Sequence, residues 1–196
     1  MGLNKLKLAV FISGRGSNML ALMEACKRPD FPAEIVLVLS NRPDAKGLVS
    51  AKEAGIATEI VDHKGFSSRE TFEAEVQKRL QAYTIDYIVL AGFMRVLTAG
   101  FVDQWLGRMV NIHPSLLPDY KGTDTHARVL ADGKRETGCT VHYVVPDIDS
   151  GEIIVQKRVP VLEGDTPDSL AARVLEQEHV AYPEAIERLA ATHKNA

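Results

Sequence analysis

Through its first 112 residues the chain alternates short, almost unbroken apolar runs with stretches whose apolar residues recur at helical spacing. Residues 8–12 read as a buried strand, and Met19, Leu20, Leu22, Met23 and Cys26 then mark one face of a helix. A strand at 35–39 leads to a helix over 44–54 that stops at Gly55, a residue suited to the left-handed turn closing a helix. A third strand follows at 57–61. Ser67 and Glu70 have the spacing of a capping box, and the helix they open carries the stripe Phe72, Val76 and Leu80. Strands at 87–91 and 109–112 flank a short helix at 102–106. Continuous apolar strands separated by helices imply an α/β fold: a mostly parallel sheet with helices on both faces.

The period changes after Pro118. Cys139, Val141, Tyr143 and Val145 alternate with Thr140, His142 and Val144, and residues 153–161 form a second extended stretch. The turn-rich Pro146-Asp147-Ile148-Asp149-Ser150-Gly151 lies between them, so an antiparallel hairpin is added C-terminally to the sheet. Thr166-Pro167 opens a last helix, with threonine as N-cap and proline at the first helical position. Without repeats, low-complexity tracts or linkers, residues 1–196 are expected to form one domain.

Hydrophobic residues at 45% and charged residues at 25% exclude a disordered or collagen-like chain. The 23 basic and 26 acidic residues give 23 − 26 = −3, so nothing draws the whole surface to nucleic acid or anionic lipid, although a local basic pocket remains open. Two distant cysteines, Cys26 and Cys139, are neither a disulfide framework nor a zinc ligand set and suit a reducing compartment. The run at 8–12 is too brief for a signal peptide, and no apolar stretch approaches the roughly 20 residues that span a bilayer. The expectation is a soluble, cytoplasmic protein acting on a small molecule.

Two segments carry candidate chemistry. Gly14-Arg15-Gly16-Ser17-Asn18 joins the first strand to the first helix, at the carboxyl edge where α/β sheets bind ligands. A helix N-terminus behind glycines offers unpaired N–H groups to an anion. Met19 replaces the third glycine of a dinucleotide fingerprint and no Walker lysine follows, so a single phosphate monoester fits better than a dinucleotide. The structural alternative is a tight turn capped by Ser17 or Asn18. The second segment is Asn111-Ile112-His113-Pro114. Asn111 and His113, two apart at a strand end, share a face, and an amide beside an imidazole suits an oxyanion. A carboxylate from the hairpin turn would favour the imidazolium, and Asp147 and Asp149 both qualify on spacing.

Asn111-Ile112-His113-Pro114-Ser115-Leu116-Leu117-Pro118, with Gly122, Gly138, Thr140-Val141-His142 and Asp149-x-Gly151, resembles the signature of the folate-dependent formyltransferases. Ile12-Ser13-Gly14-x-Gly16-Ser17-Asn18, Leu90-Ala91-Gly92-Phe93-Met94-Arg95 and Gln177-Glu178-His179 narrow the resemblance to members acting on phosphoribosylglycinamide, over the chain as far as about Leu189. The resemblance implies a Rossmann-like domain in which Asn111, His113 and Asp149 are catalytic. Gly16, Ser17 and Asn18 would hold the phosphate of glycinamide ribonucleotide, with Glu178 also binding that substrate. Arg69, Met94, Arg95, Val96 and Leu97, with Asn111, would line the site of the cosubstrate 10-formyltetrahydrofolate, without a metal. Thr123, in Lys121-Gly122-Thr123-Asp124, departs from the family pattern near the site.

The expected reaction is direct formyl transfer in de novo purine synthesis: the amine attacks, Asn111 and protonated His113 hold the oxyanion, Asp149 keeps His113 protonated, and the cysteines are dispensable. A formyltetrahydrofolate deformylase is the nearest rival, but it usually carries a regulatory domain before the first strand. A methionyl-tRNA formyltransferase needs a second domain and a basic surface, and a non-catalytic phosphometabolite-binding protein would not need His113 with Asp149. His142 either borders the site or is simply a hydrogen-bonded sheet residue, the second being preferred, and His126 is read as a possible neighbour of the substrate. Monomer and homodimer both remain open.

Overall fold

The computed structural model describes residues 5–193; the ends of the expected domain, residues 1–4 and 194–196, lie outside them. Among the described residues seven strands form one sheet: β1 (Leu6–Ile12), β2 (Ala33–Ser40), β3 (Ala57–Ile60), β4 (Tyr87–Leu90), β5 (Met109–His113), β6 (Glu136–Tyr143) and β7 (Ile153–Pro160). Their order is β3-β2-β1-β4-β5-β6-β7. The first five pair in parallel, β6 runs antiparallel to β5, and β7 antiparallel to β6. Helices α1 (Ser17–Cys26), α2 (Gly47–Glu53), α3 (Arg69–Leu80), α4 (Ala99–Gln104), α5 (Thr125–Ala131) and α6 (Pro167–His193) complete the Rossmann-like α/β architecture.

The unbroken apolar strands are explained by cores on both faces. Leu8, Val10 and Ile12 of β1 meet Met19 and Leu22 of α1 and Val174 and Tyr182 of α6, whereas Ala9 and Phe11 face Phe72, Val76 and Leu80 of α3. Strand order reverses between β1 and β4, which opens a crevice at their carboxyl ends. Tyr182 closes its floor: buried in α6, it donates its hydroxyl to the Leu90 carbonyl at 2.7 Å, the last residue of β4.

Several boundaries differ from the sequence reading, each for a local reason. The capping box uses Ser68 and Thr71, not Ser67 and Glu70: Ser68 Oγ accepts from the Thr71 amide at 3.2 Å and Thr71 Oγ1 from the Ser68 amide at 3.3 Å. Edge-to-face packing of Phe66 on Phe72 holds the chain as it enters this helix. The helix expected at 102–106 begins earlier, at Ala99, because Thr98 caps it and buried Glu73 accepts the Thr98 amide at 2.7 Å. The helix expected from residue 44 begins at Gly47, after a turn in which Arg42 grips Asp44. Residues 94–97 are a loop beyond β4, and α5 has no counterpart in the sequence reading.

The β6–β7 turn needs glycine at residue 151. A Cβ there would stand 1.7 Å from the Tyr143 carbonyl oxygen, a clash with backbone that only opening the turn relieves. Gly151→Ala is therefore expected to lower unfolding free energy by about 1–3 kcal/mol. In Gly65→Ala the new Cβ meets nothing within 4 Å, and the change should stay within about 0.5 kcal/mol. Urea midpoints at equal slope would measure both.

Candidate active site

At the β1–α1 junction, Gly16 occupies the N-cap position in the left-handed region (φ 68°) and no side chain caps the helix. The alternative of a turn capped by Ser17 or Asn18 does not form. The open amides leave the positive end of α1 facing a cavity lined by Gly14, Gly16, Ser17, Asn18, Asn41 and Arg95. Asn18 turns inward: its Nδ2 donates to Glu178 Oε2 at 2.7 Å, while its buried Oδ1 has no hydrogen-bond partner. Glu178 is only 8% exposed, and burial pushes its carboxyl above the usual carboxylate range despite the Asn18 hydrogen bond.

The second centre is the end of β5. Met109, Asn111 and His113 share a face, and antiparallel register sets His142 opposite Asn111 and Thr140 opposite His113. His113 Nε2 lies 2.8 Å from the Tyr120 carbonyl oxygen. A carbonyl can only accept, so that nitrogen carries a proton, and the ring's other nitrogen is the one left for chemistry. It faces Asp149, with Nδ1 3.3 Å from Oδ2. The same carboxylate oxygen accepts the Gly122 amide at 2.9 Å. Geometry alone thus sets Asp149, not Asp147, beside His113.

A slot is lined by Leu90, Phe93, Val102, Val144 and Pro146 together with the polar Asn111, His142 and Asp149. Arg95, Val96 and Leu97, which the resemblance assigns to the folate site, also border it. Met94 does not: it lines the glycine-loop cavity, its amide donating to Ser13 Oγ at 2.7 Å. Arg69 borders neither cavity and is exposed at the start of α3, so the structure does not bring it to the others. His113 stands behind Asp149, off the slot wall. Arg95 borders both cavities, and its buried Nε has no hydrogen-bond partner.

The family profile described as formyl transferase matches residues 6–186. The chain belongs to the formyl transferase family. It is 45% identical over 178 residues to the phosphoribosylglycinamide formyltransferase of Escherichia coli K12, covering 91% of this chain and 84% of that one. The solved phosphoribosylglycinamide formyltransferase of Coxiella burnetii superposes with a TM-score of 0.91 at 47% identity, covering 96% of this chain and 88% of that one. The trifunctional purine biosynthetic protein adenosine-3 of Gallus gallus is 49% identical over 187 residues, 95% of this chain but 19% of that protein's length.

His142 is a hydrogen-bonded residue of β6, as expected, and it also lines the slot. Its Nδ1 donates to the Tyr143 carbonyl at 2.8 Å, and burial holds its pKa below the ordinary histidine value. Neutral Nε2 can then accept from Asn111 Nδ2, 3.4 Å away, which turns the amide NH2 toward the slot. His126 is half-buried, with burial and nearby His113 both lowering its pKa. Burial pushes the Cys26 thiol up to about 11 and Cys139 to about 12, so neither is a thiolate nucleophile at neutral pH. Among the described residues no three of His, Cys, Asp and Glu stand together as a metal site, and no helix is long and apolar enough to cross a membrane.

Glu178 yields a test with a defined sign. A carboxyl raised by burial takes up a proton on folding. Its contribution is complete below the ordinary value of 4.5 and is lost as pH rises through the folded value. Glu178→Gln removes that loss and can donate an amide proton to the unpaired Asn18 Oδ1. The variant is expected to melt higher than wild type at pH 8, with the gap closing toward pH 4.5, while its turnover falls.

Proposed function

We propose that the chain transfers the formyl group of 10-formyltetrahydrofolate to the amine of glycinamide ribonucleotide, a step of de novo purine synthesis. The observation that carries this reading is the meeting of two differently shaped cavities at Arg95, beside Asn111 and the His113–Asp149 pair. The glycine-loop cavity suits a phosphate monoester on the α1 amides, with the ribose directed toward Asn18 and Glu178. The slot, whose wall joins apolar side chains to the polar groups of Asn111, His142 and Asp149, suits a flat heteroaromatic ring such as a pterin.

The amine nitrogen of the bound ribonucleotide attacks the formyl carbon, and the carbonyl π pair moves onto oxygen. That oxyanion is held by the free N–H of Asn111 and, as Asp149 turns off Nδ1 to take the migrating proton, by the Nδ1 proton of His113. Asp149 lines the slot and takes part in moving the proton from the attacking nitrogen to folate N10 as the carbon–N10 bond breaks. The products are the formylated amide and tetrahydrofolate. Each atom is accounted for without a covalent enzyme intermediate.

Formyl-folate mixed with the protein should release tetrahydrofolate only when glycinamide ribonucleotide is present. Release without the amine would instead make the chain a deformylase, and silence in both arms would make it a binding protein. Asn111→Ala and His113→Ala should each lower kcat about 10²–10³-fold, with a much smaller effect on folate affinity. Wild-type turnover in either variant would overturn the catalytic assignment.

A further inference from the structure

The segment between β5 and α5 touches the His113–Asp149 pair through main-chain atoms alone: the Tyr120 carbonyl on His113 Nε2 and the Gly122 amide on Asp149 Oδ2. Main-chain contacts orient a side chain only as well as the segment itself is held. Its shape is an unfavourable one for most residues, with left-handed φ at Tyr120 (56°), Gly122 (81°) and Asp124 (56°). Something must hold it there.

Arg128, on α5, does so from behind. Its Nη1 donates to the Lys121 carbonyl at 2.7 Å and reaches the Thr123 carbonyl at 3.3 Å, bridging both sides of Gly122. The guanidinium also lies over the Tyr120 ring, 5.3 Å from its centroid, and the Tyr120 hydroxyl donates to Asp132 at 2.7 Å. A second fastening crosses to the turn that bears Asp149. Ser150 gives its one hydroxyl proton to the Ile148 carbonyl at 2.9 Å, so its oxygen is free to accept Lys121 Nζ at 2.6 Å. Neither Arg128 nor Lys121 borders either cavity.

We propose that Arg128, assisted by the Lys121–Ser150 contact, is a positioning residue for formyl transfer: it clasps residues 120–124 so that Tyr120 and Gly122 hold His113 and Asp149 in register with each other. The inference rests on the catalytic reading of that pair. Arg128 acts on kcat through His113 and contributes nothing to substrate contacts. Lysine in its place keeps N–H donors for the carbonyls but lacks the planar guanidinium that lies over the Tyr120 ring, and so restores part of the effect.

Arg128→Ala is expected to lower kcat about tenfold or more, as displaced catalytic groups do, with KM for both substrates within about twofold. Arg128→Lys should recover part of that loss, and Lys121→Ala and Ser150→Ala should give smaller, non-additive losses of about two- to fivefold. Hydrogen exchange at 119–124 should quicken in Arg128→Ala, with the cores of β1 and β4 unchanged. In the double variant with His113→Ala, Arg128→Ala should cost far less than it does alone, leaving only what a displaced Asp149 loses. Wild-type kcat in Arg128→Ala, or a full further loss on the His113→Ala background, would overturn the clasp. Wild-type kcat in His113→Ala alone would instead sink the catalytic reading beneath it.

Discussion

The antiparallel pairing of β6 on β5 is the constraint on which the proposed catalytic arrangement depends. It sets His142 opposite Asn111 and Thr140 opposite His113. Strand side chains alternate between faces, so a slip of one residue would bring Val141 or Tyr143 to Asn111 and drive His142 into the opposite core. The correct register also makes the far side of β6 apolar, with Cys139 and Val141 buried alongside Val155 and Val159 of β7. Packing on one face thereby enforces chemistry on the other. Thr140 helps tie the strand to the segment after His113, accepting the Leu117 amide at 3.1 Å and donating to the Ser115 carbonyl at 2.7 Å.

Backbone strain gathers where these elements meet. The three non-glycine residues with positive φ among the described residues, Tyr120, Asp124 and Asp149, all lie in the two segments that enclose the His113–Asp149 pair. Such conformations cost about 1–3 kcal/mol each and persist only where the surroundings over-determine them. Here the surroundings do so: Arg128, Lys121, Gly122 and Gly151 each hold one of the two segments. The outcome is a carboxylate that borders the slot while its own geometry is set by an imidazole and an amide.

Much of the fold was legible because its signals are local and repeated. Apolar strands separated by helical stripes announce a doubly covered parallel sheet, and the switch to period two after Pro118 announces the hairpin. Asn111 and His113 could be paired from spacing alone, and the resemblance to the formyltransferases added Asp149 before any geometry was available. Two features were not legible. His142 gains its place from strand register, which alternation cannot supply. The grip of Tyr120 and Gly122 is made by main chain, which no residue type reveals. Arg69 illustrates the reverse case: a family motif position whose side chain, at the exposed start of α3, borders neither cavity.

The −3 net charge sharpens the electrostatics of a site proposed for two anions. Attraction must come from a few fixed sources, and most nearby cations are already committed. Arg42 is gripped by Asp44 in a two-point contact. Arg128 is spent on carbonyls. What remains is the uncapped end of α1, worth roughly half a positive charge, with Arg15 at the rim and Arg95 where the cavities meet. Phosphate on α1 would lie where the field comes from backbone, which no titration removes. Arg95, its buried Nε unpaired, would serve whichever anion reaches the junction. Glu178 is the counterweight: a carboxyl placed deep beside Asn18, where burial favours its neutral form. This buried acid thus stands beside Asn18, while the lining of the cavity at α1 contains no aspartate or glutamate.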